Sequence, residues 1–259
     1  IKILKKLFSK KNFDMLIHLA SYKKVQESIV KPKKYHFNNV AKTKKLINYC
    51  ISRNLKKVIF SSSASVYGRQ KNVIVKENLP MSSLSPYAKN KIDVENFLQN
   101  LIRKKKIKCI ILRYFNIAGS ISKNKNAFKL SKINNFIHKV NNYIKLNKVI
   151  PIFGYDYPTQ DGTAIRDYIH IEDVAKINSI IVNRFNFIKT NTINIGSGKG
   201  TTLLEVIKIF KKNKMKKINL RYCKRKKGDI DAIVADNKKM KEILKLKSVN
   251  KISKIINSL

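Results

Sequence analysis

Short apolar runs alternate along this chain with longer stretches in which apolar residues recur every three or four positions. The short runs have the length of β-strands, and the longer stretches have the period of amphipathic α-helices. Strands are predicted at Met15–Leu19, Lys57–Phe60, Cys109–Tyr114 and Thr192–Ile195. Helices are predicted at Val40–Arg53, Pro86–Lys104, Val174–Arg184 and Leu203–Lys211. This alternation predicts an α/β fold with a doubly wound, Rossmann-like parallel sheet.

The regular alternation weakens after residue 118. From Gly119 the chain is irregular and rich in Asn, with one predicted helix at Asn134–Leu146 and a loop at Gly154–Thr163, GYDYPTQDGT. We therefore expect the main domain over residues 1–118 and a smaller lobe over residues 119–259. Residues 165–200, which include the strand at Thr192–Ile195, are expected to return to the sheet of the first domain.

Three polar clusters follow predicted strands, at Ala20–Lys23, Ser61–Ser63 and Arg113–Asn116. Open parallel sheets bind ligands beyond the carboxyl ends of their strands, so these clusters mark the expected site. The helix after the second cluster has a favourable start, because Ser85 is a suitable N-cap and Pro86 is tolerated in a first turn.

Tyr87 and Lys91 are four residues apart in this helix, so their side chains share one face. An ammonium beside a phenol lowers the phenol's pKa from about 10, which would make Tyr87 a proton shuttle, with Ser63 orienting a substrate hydroxyl. The spacing alone is weak evidence, because 57 of the 259 residues are basic. Two further pairs share it: Tyr67 with Lys71, and Tyr222 with Lys226. Only Tyr87 opens a helix after a serine-tipped strand, and a surface tyrosine is the alternative.

The glycine-rich segment Gly196–Gly200 follows a predicted strand and precedes a helix, where phosphate-binding loops occur. Its sequence, GSGKG, has neither the GxGxxG spacing nor the GxxxxGK[ST] order. A tight strand-to-helix turn is the favoured interpretation. No other group among the eight glycines forms a dinucleotide fingerprint.

The formal net charge is +42, which by itself would indicate a nucleic-acid or anionic-surface partner. The lysines are spread over nearly every block of ten residues, and the excess is Lys rather than Arg. Nucleic-acid recognition typically uses a basic stripe, arginine forks and interleaved aromatic residues. The charge is therefore interpreted as a property of the whole surface, and nucleic acid is not the favoured partner.

The remaining chemistry-bearing residues predict no metal site. Cys50, Cys109 and Cys223 form no CxxC pair, and the four histidines lack metal spacing. His170 is expected to orient a loop, and Glu172 and Asp173 to begin a helix. No apolar run is long enough to span a membrane, and the first residues lack a leader pattern, so we expect a cytoplasmic protein whose chain begins inside a fold.

Several strings occur in one order: IHLASYKKVQESIVKP, NNVAKTKKLI, KKVIFSSSASVYG, SPYAKNKIDVE, ILRYFNIAG, INNF, PIFGYDYPTQDGTAIRDYIHIEDVA, INIGSG and KRKKGD. In this order and spacing they resemble the extended short-chain dehydrogenase/reductase family, and within it the UDP-glucose 4-epimerases. The resemblance covers roughly residues 13–245. A related sugar-nucleotide dehydratase would carry Asp-Glu after Ser63, whereas Ala64 and Ser65 stand there, so an epimerase is favoured.

The resemblance implies binding of NAD and a UDP-sugar, with residues 1–118 as part of an NAD-binding domain and residues 119–259 mainly as the UDP-sugar lobe. The implied catalytic residues are Ser63, Tyr87 and Lys91. The positions implied to contact NAD are Leu19, Ala20, Ser21, Tyr22, Lys23, Asn39, Ser63, Tyr87, Lys91 and Phe115. The positions implied to hold the UDP-sugar are Ser63, Tyr87, Asn116, Asn135, Phe136, Phe153, Arg166, Lys226 and Asp229.

The implied activity is epimerisation at C4 of a UDP-hexose, UDP-glucose or UDP-galactose. Tyr87, as a phenolate, would take the proton of the sugar's 4-hydroxyl while C4 gives a hydride to NAD. The 4-keto sugar would then turn over and take the hydride back on its other face, with Arg166 holding the diphosphate. The resemblance also implies a homodimer through the helices at Val40–Arg53 and Pro86–Lys104.

The sequence departs from the family in several places. The glycine-rich turn that holds the NAD pyrophosphate is not found in these residues, Ser21 replaces a Gly, Ile117 a Pro, and Lys226 an Arg. Lysine keeps the charge but loses the bidentate fork. Two alternatives stay open: an inactive remnant of an epimerase, and a basic nucleic-acid-associated protein on the same scaffold. An exposed sheet edge would also make the chain poorly soluble.

Overall fold

The computed structural model describes residues 2–121, 135–214, 218–246 and 249–259. Its helices are α1 Lys2–Phe8, α2 Val25–Val30, α3 Pro32–His36, α4 Lys42–Ser52, α5 Pro86–Arg103, α6 Phe136–Lys145, α7 Ile171–Asn183, α8 Leu203–Lys214, α9 Lys238–Leu244 and α10 Ile252–Asn257. Its strands are β1 Leu16–His18, β2 Lys57–Ser63, β3 Ile74–Val75, β4 Lys108–Tyr114, β5 Asn116–Ala118, β6 Ile150–Phe153, β7 Ile165–His170, β8 Thr192–Ile195, β9 Gly200–Thr202, β10 Leu220–Cys223 and β11 Ala232–Ala235.

The chain divides into two compact units, of which unit 1 comprises residues 1–68, 80–113 and 190–193. Its sheet has the order β1-β2-β4-β8, and β1 runs parallel to β2 with Leu16 opposite Val58. Helices α4 and α5 pack their apolar faces against this sheet. The buried core is formed by Val40, Ile47, Val58, Phe60, Val94, Leu98, Leu101, Ile107, Cys109 and Ile111. The parallel pairing and covering helices confirm the predicted Rossmann-like fold class.

Strand β2 continues three residues past its predicted end at Phe60 and includes Ser61–Ser63. The apolar run stops at Phe60, but the hydroxyl of buried Ser62 donates a hydrogen bond to Glu95, so the strand can stay buried without unpaired polar atoms. The serines therefore form the last part of the strand rather than a loop beyond it.

The helices of unit 1 also differ in detail from the pattern. The predicted helix at Val40–Arg53 begins inside a turn of π-helix at Phe37–Ala41, which joins α3 to α4, and α4 itself begins at Lys42. Helix α5 begins at the predicted Pro86, and Ser85 caps it by accepting a hydrogen bond from the Ala88 N–H at 3.2 Å. The capping signal thus located the start of the helix that carries Tyr87 and Lys91.

Unit 2 comprises residues 69–79, 114–189 and 194–259. One of its sheets has the order β3-β11-β7-β5, with β9 antiparallel to β7, and a second pairs β6 with β10 in parallel. A separate apolar core fills this unit. It is built from Ala118, Ile137, Val140, Ile144, Ile150, Ile152, Tyr168, Val206, Ile207, Phe210, Ile218, Ile255 and Ile256.

Residues 165–200, which we expected to return to the first sheet, divide between two sheets. Thr192–Ile195 forms β8 in the sheet of β1, β2 and β4, where the Ile111 N–H donates to the Asn191 carbonyl at 2.7 Å. Ile165–His170 forms β7 and pairs instead with β5, β9 and β11. The start predicted for the helix at Asn134 lies outside the described residues, and α6 begins at Phe136.

Candidate active site

The carboxyl ends of β1 and β2 lie at one edge of the sheet in unit 1, because the two strands are parallel. The chain leaves β1 through Leu19–Lys23 and leaves β2 after Ser63. Two of the polar clusters predicted from the sequence are therefore neighbours. The strand order brings them to the place where an open parallel sheet binds its ligand.

Ser63 is the last residue of β2 and also the N-cap of the 3-10 helix at Ala64–Tyr67. Its Oγ accepts hydrogen bonds from the Ser65 N–H at 3.2 Å and from the Ser65 hydroxyl at 3.0 Å. The chain then turns at Gly68, whose φ is +59° and where a Cβ would lie 2.7 Å from the Ser82 carbonyl oxygen. Strand β2 therefore fixes the backbone before Ser63, and the 3-10 helix with its turn at Gly68 fixes the backbone after it.

Tyr87 and Lys91 lie on the buried face of α5, with relative exposures of 9% and 4%. The Lys91 ammonium donates a 2.6 Å hydrogen bond to the Ser61 carbonyl and lies 5.9 Å from the centre of the Tyr87 ring. The Tyr87 side chain hydrogen-bonds with Ser63, and its backbone N–H donates to the Ser28 hydroxyl at 3.2 Å. The helix therefore brings the predicted trio together at the serine end of β2.

The expected lowering of the Tyr87 pKa is wrong. Burial raises the pKa of Tyr87, and the hydrogen bond with Ser63 opposes this shift only in part. Burial likewise lowers the pKa of Lys91, to about 8, against the opposing charge of Glu95. The physical reason is desolvation, which disfavours the charged form of both groups.

The loop after β1 is held by Asn39, which lies in the π-helical turn and is 4% exposed. The Asn39 amide accepts from the Tyr22 N–H and donates to the Tyr22 carbonyl, both at 2.9 Å. Leu19, Ala20 and Lys23 are exposed beside this anchor. Asn39 thus holds the loop at the edge of the sheet. The family resemblance had implied that Asn39 and the loop residues Leu19–Lys23 contact NAD.

The other two Tyr–Lys pairs have different surroundings. Tyr67 is fully buried, and the Arg113 guanidinium lies 4.8 Å from its ring centre. Tyr222 is on β10 and is 52% exposed. Tyr87 is therefore the tyrosine whose lysine partner shares a buried helix face with it.

In unit 2, the residues that follow β4 occupy a second polar region. Phe115 is buried, and its N–H donates to the Ile195 carbonyl at 3.0 Å, while Asn116 begins β5 opposite Tyr168. Asn135 caps α6 by accepting from the His138 N–H at 2.9 Å, and its amide donates to the Ile117 carbonyl at 2.8 Å. Asn135 therefore fixes the start of α6 against β5, and Phe136 packs at the edge of the core.

Four further predicted residues of unit 2 lie in two contacting pairs. Arg166 on β7 forms a 2.5 Å salt bridge with Asp229, and the pair is 13% and 31% exposed. The Lys226 ammonium lies 3.8 Å from the centre of the Phe153 ring. Burial lowers the pKa of Lys226, and the charge of Lys139 adds to this effect. The arrangement places two cations in partly buried surroundings, which favours an anionic ligand.

Sequence reasoning missed two residues near these pairs. Arg225 forms a 2.7 Å ion pair with Asp156, and its guanidinium lies 4.2 Å from the centre of the Tyr157 ring. Tyr157 is 4% exposed, and its hydroxyl is a buried oxygen without a hydrogen-bond partner in the described residues. Tyr157 and Asp156 lie in the loop GYDYPTQDGT and Arg225 lies in the run KRKKGD, both of which the sequence analysis singled out. Their contact became visible only in the folded unit 2.

The glycine-rich segment leads from β8 into the short strand β9 and only then into α8, so the expected strand-to-helix turn is wrong in that respect. Its backbone donors are already used. The Asp167 carboxylate accepts from the Ser197 N–H at 2.7 Å, the Gly198 N–H at 2.9 Å and the Ala235 N–H at 3.1 Å. These backbone donors are consequently committed to a carboxylate of the chain itself rather than to a phosphate. His170 likewise acts structurally, because its Nδ1 accepts from the Glu172 N–H at the start of α7.

Within the part of the chain that the structure describes, no three His, Cys, Asp or Glu side chains lie close enough to hold a metal ion. None of the described helices is both long and apolar enough to span a bilayer.

A sequence profile of the NAD dependent epimerase/dehydratase family matches residues 1–196. Among similar proteins, the UDP-glucose 4-epimerase of Dictyostelium discoideum is 36% identical over 248 residues, which are 93% of this chain and 72% of that protein.

Solved structures agree with the sequence comparison. The UDP-glucose 4-epimerase of Bifidobacterium longum, in complex with NAD+ and UDP, superposes with a TM-score of 0.87 at 32% identity over 99% of this chain and 78% of that one. The UDP-glucose 4-epimerase of Brucella ovis, in complex with NAD, gives a TM-score of 0.90 at 28% identity, covering 99% of this chain and 80% of that one.

Proposed function

Because the chain belongs to the NAD dependent epimerase/dehydratase family, we propose that it is an NAD-dependent UDP-hexose 4-epimerase that interconverts UDP-glucose and UDP-galactose. Relatives from Dictyostelium and Bifidobacterium bear the name UDP-glucose 4-epimerase, and the Bifidobacterium structure holds NAD+ and UDP. The observation that carries the proposal is the buried grouping of Ser63, Tyr87 and Lys91 at the end of β2.

Each member of this trio has one task in the proposed reaction. The Ser63 hydroxyl, already hydrogen-bonded with Tyr87, orients the sugar's 4-hydroxyl toward the phenol oxygen. Tyr87 takes the proton from that hydroxyl and returns it at the end of the reaction. The Lys91 ammonium stabilises the phenolate form of Tyr87, because opposite charges attract strongly where water is excluded.

The residues near the trio fit the ribose and nicotinamide half of a dinucleotide. Lys91 is 4% exposed, and in the described residues its ammonium donates one hydrogen bond, to Ser61, so two donors are left for ligand hydroxyls. Exposed Leu19 beside the anchored Tyr22 backbone offers an apolar surface to a ring. Bound NAD would supply reversible hydride acceptance at C4 of the sugar.

Residues of unit 2 are proposed to bind the nucleotide part of the substrate. Arg166 and Lys226 would pair with the diphosphate, and Asp229 holds the guanidinium of Arg166 in one orientation. Phe153, which is already in contact with the Lys226 ammonium, supplies an aromatic face. Asn116, Asn135 and Phe136 complete the residues assigned to the UDP-sugar.

The decisive experiment measures two quantities on the purified protein: NAD released on denaturation, and conversion of UDP-galactose to UDP-glucose with NAD added. Tyr87→Phe should reduce turnover by a factor of about 10²–10⁴, which is what proton transfer by a positioned side chain typically supplies. Tyr222→Phe is the matched control, because Tyr222 has the same Tyr-xxx-Lys spacing but is exposed. Turnover that survives Tyr87→Phe would contradict the assignment, and no turnover with any UDP-hexose would favour an inactive remnant.

We also infer that two copies of the chain pair through α4 and α5. Phe37, just before α4, is 62% exposed, and Phe97 on α5 carries the Lys44 ammonium 5.5 Å from its ring centre. An exposed Phe37 beside a half-buried Phe97 on a neighbouring helix favours a protein contact. Light scattering at micromolar concentration should give twice the chain mass, and replacement of Phe37 by Asp should halve it. A monomer in the unaltered protein would overturn this inference.

A further inference from the structure

A buried ion pair lies directly behind the proposed catalytic residues. Glu95 on α5 is fully buried, and Arg113 on β4 is 4% exposed. The Arg113 Nη2 donates to one Glu95 oxygen at 2.7 Å, and Nε lies 3.2 Å from both oxygens. A charged pair this deep is costly to bury unless its geometry is well satisfied.

The same glutamate is also hydrogen-bonded to the strand that carries Ser63. The Ser62 hydroxyl donates a hydrogen bond to Glu95 Oε1. Three consecutive serines of β2 thus meet three residues of α5: the Ser61 carbonyl receives Lys91, the Ser62 hydroxyl binds Glu95, and the Ser63 hydroxyl binds Tyr87. The central contact fixes how the strand end sits against the helix, and the two outer contacts are those of the catalytic trio.

Arg113 in turn holds the carboxylate from the opposite side. Its guanidinium lies over the ring of fully buried Tyr67, with 4.8 Å to the ring centre, and its Nη2 is 3.2 Å from the Met81 sulfur. Tyr67 belongs to the 3-10 helix that Ser63 caps. The bidentate fork and the stacked ring leave the glutamate one orientation.

We propose that Glu95, held by Arg113, is a positioning residue that aligns Ser61 and Ser63 with the Lys91–Tyr87 face of α5 and keeps the Lys91 side chain in its ammonium form. This inference rests on the proposed epimerase function for its kinetic consequences. Its electrostatic part concerns the side chains of unit 1 alone and is testable without turnover.

The charges around Lys91 give the direction of the effect. Tyr87 and Glu95 face Lys91 from its own helix, and His18 faces it from β1, with a pKa lowered by burial and by the charge of Lys91. On β4, Arg113 and Cys109 lie next to Glu95 rather than Lys91. Glu95 is therefore the acidic group that stabilises the Lys91 ammonium, and its loss would remove the negative charge that the structure shows beside both Lys91 and Arg113.

The test compares Glu95→Gln with the unaltered protein. Removing the carboxylate should lower the Lys91 pKa from about 8 by a further one unit or more, which is the usual effect of losing a close opposite charge. Because the ammonium is the active form, activity is lost as the pH rises through this pKa, so the descending limb of the kcat profile should move to lower pH. NMR of ¹³C-labelled lysines, with Lys91→Met to assign the signal, measures the titration directly. Exposed Glu242 on α9 gives the matched control, Glu242→Gln.

Ser62→Ala tests the alignment without removing a charge. It should leave the Lys91 titration in place and lower kcat about tenfold with KM little changed, since one buried hydrogen bond is lost. Glu95→Asp should restore the Lys91 pKa toward that of the unaltered protein but not full kcat, because a shorter side chain cannot reach Ser62 equally well.

Two results would overturn the proposal: a Lys91 titration unchanged in folded Glu95→Gln, or kcat in Ser62→Ala within twofold of the unaltered protein at every pH. If Glu95→Gln does not fold, the Ser62→Ala result decides the matter alone. If the unaltered protein has no epimerase activity, the proposed function fails. The NMR titration would still decide whether Glu95 keeps Lys91 in its ammonium form.

Discussion

The buried amide of Asn39 shows how much of the site depends on single side chains. The Asn39 side chain makes the two hydrogen bonds that a neighbouring strand would make: its oxygen accepts from the Tyr22 N–H, and its NH₂ donates to the Tyr22 carbonyl. The backbone of the loop Leu19–Lys23 is thereby held in a fixed position at the edge of the sheet. A loop with exposed side chains but a fixed backbone is suited to binding a ligand along its length.

Asn39→Ala removes both of these hydrogen bonds and should weaken NAD binding. Two neutral hydrogen bonds at about 0.5–1.5 kcal/mol each correspond to a roughly 5- to 150-fold higher Kd. Titration calorimetry with NAD measures the change. Asn72→Ala removes an exposed asparagine of unit 2 as a control, and equal affinities for the two variants would contradict the role of Asn39.

Arg166→Lys keeps the positive charge and removes the planar fork that meets Asp229. We expect the affinity for UDP to fall about tenfold, because a lysine ammonium cannot bind an acid and a phosphate in one fixed plane. Arg69→Lys, at an exposed position, controls for the change of side chain. Unchanged UDP affinity in calorimetry would show that Arg166 does not contact the diphosphate.

At the scale of elements, buried polar side chains join segments that apolar packing alone would leave unaligned. Glu95 joins α5, β2 and β4 in unit 1. In unit 2, Asp167 joins β7 to the turn after β8 and to β11. Both carboxylates are almost fully buried, at 0% and 1% exposure, so each connection depends on complete hydrogen bonding.

Asp167→Asn should destabilise unit 2. The Gly198 and Ala235 N–H groups both donate to Oδ2, and the Ser197 N–H donates to Oδ1. An asparagine has only one acceptor oxygen, so its NH₂ group would face either the first two donors or Ser197. Leaving buried donors unpaired costs about 2–4 kcal/mol in the free energy of unfolding. Urea unfolding compares it with Asp14→Asn at an exposed loop position, and equal midpoints would refute the prediction.

For the whole molecule, the net charge of +42 is the dominant electrostatic property. The described lysines are mostly exposed, so repulsion among them acts through solvent and is screened by salt. Charge of one sign destabilises the compact state through self-repulsion. Stability should therefore depend on ionic strength even without any ligand.

Raising NaCl from about 20 mM to about 300 mM should raise the thermal midpoint by at least about 2 °C, since screening acts over roughly a Debye length. Differential scanning fluorimetry measures this midpoint. A series with increasing glycerol at constant low NaCl serves as the control, because it changes the solvent without adding ionic screening. A midpoint that falls as salt rises would mean that attractive ion pairs, rather than repulsion, dominate the surface.

The sequence by itself determined the strands of the parallel sheet and the helix that begins at Pro86, because apolar period and capping are local properties of the chain. The order of its motifs implied, through the family resemblance, that Ser63, Tyr87 and Lys91 act together. It also favoured a turn over a phosphate-binding loop at Gly196–Gly200, although it missed the short strand β9 that begins at Gly200. Only the tertiary structure decided that burial raises rather than lowers the Tyr87 pKa, since desolvation depends on everything packed around the ring.

The tertiary structure alone also paired Glu95 with Arg113 and Ser62, and Arg225 with Asp156, residues between 18 and 69 positions apart. No spacing rule links such distant charges, because partners are chosen by which strand ends and helix faces meet. The sequence therefore specified which groups carry the proposed chemistry, and the packing of strands and helices decided their protonation and alignment.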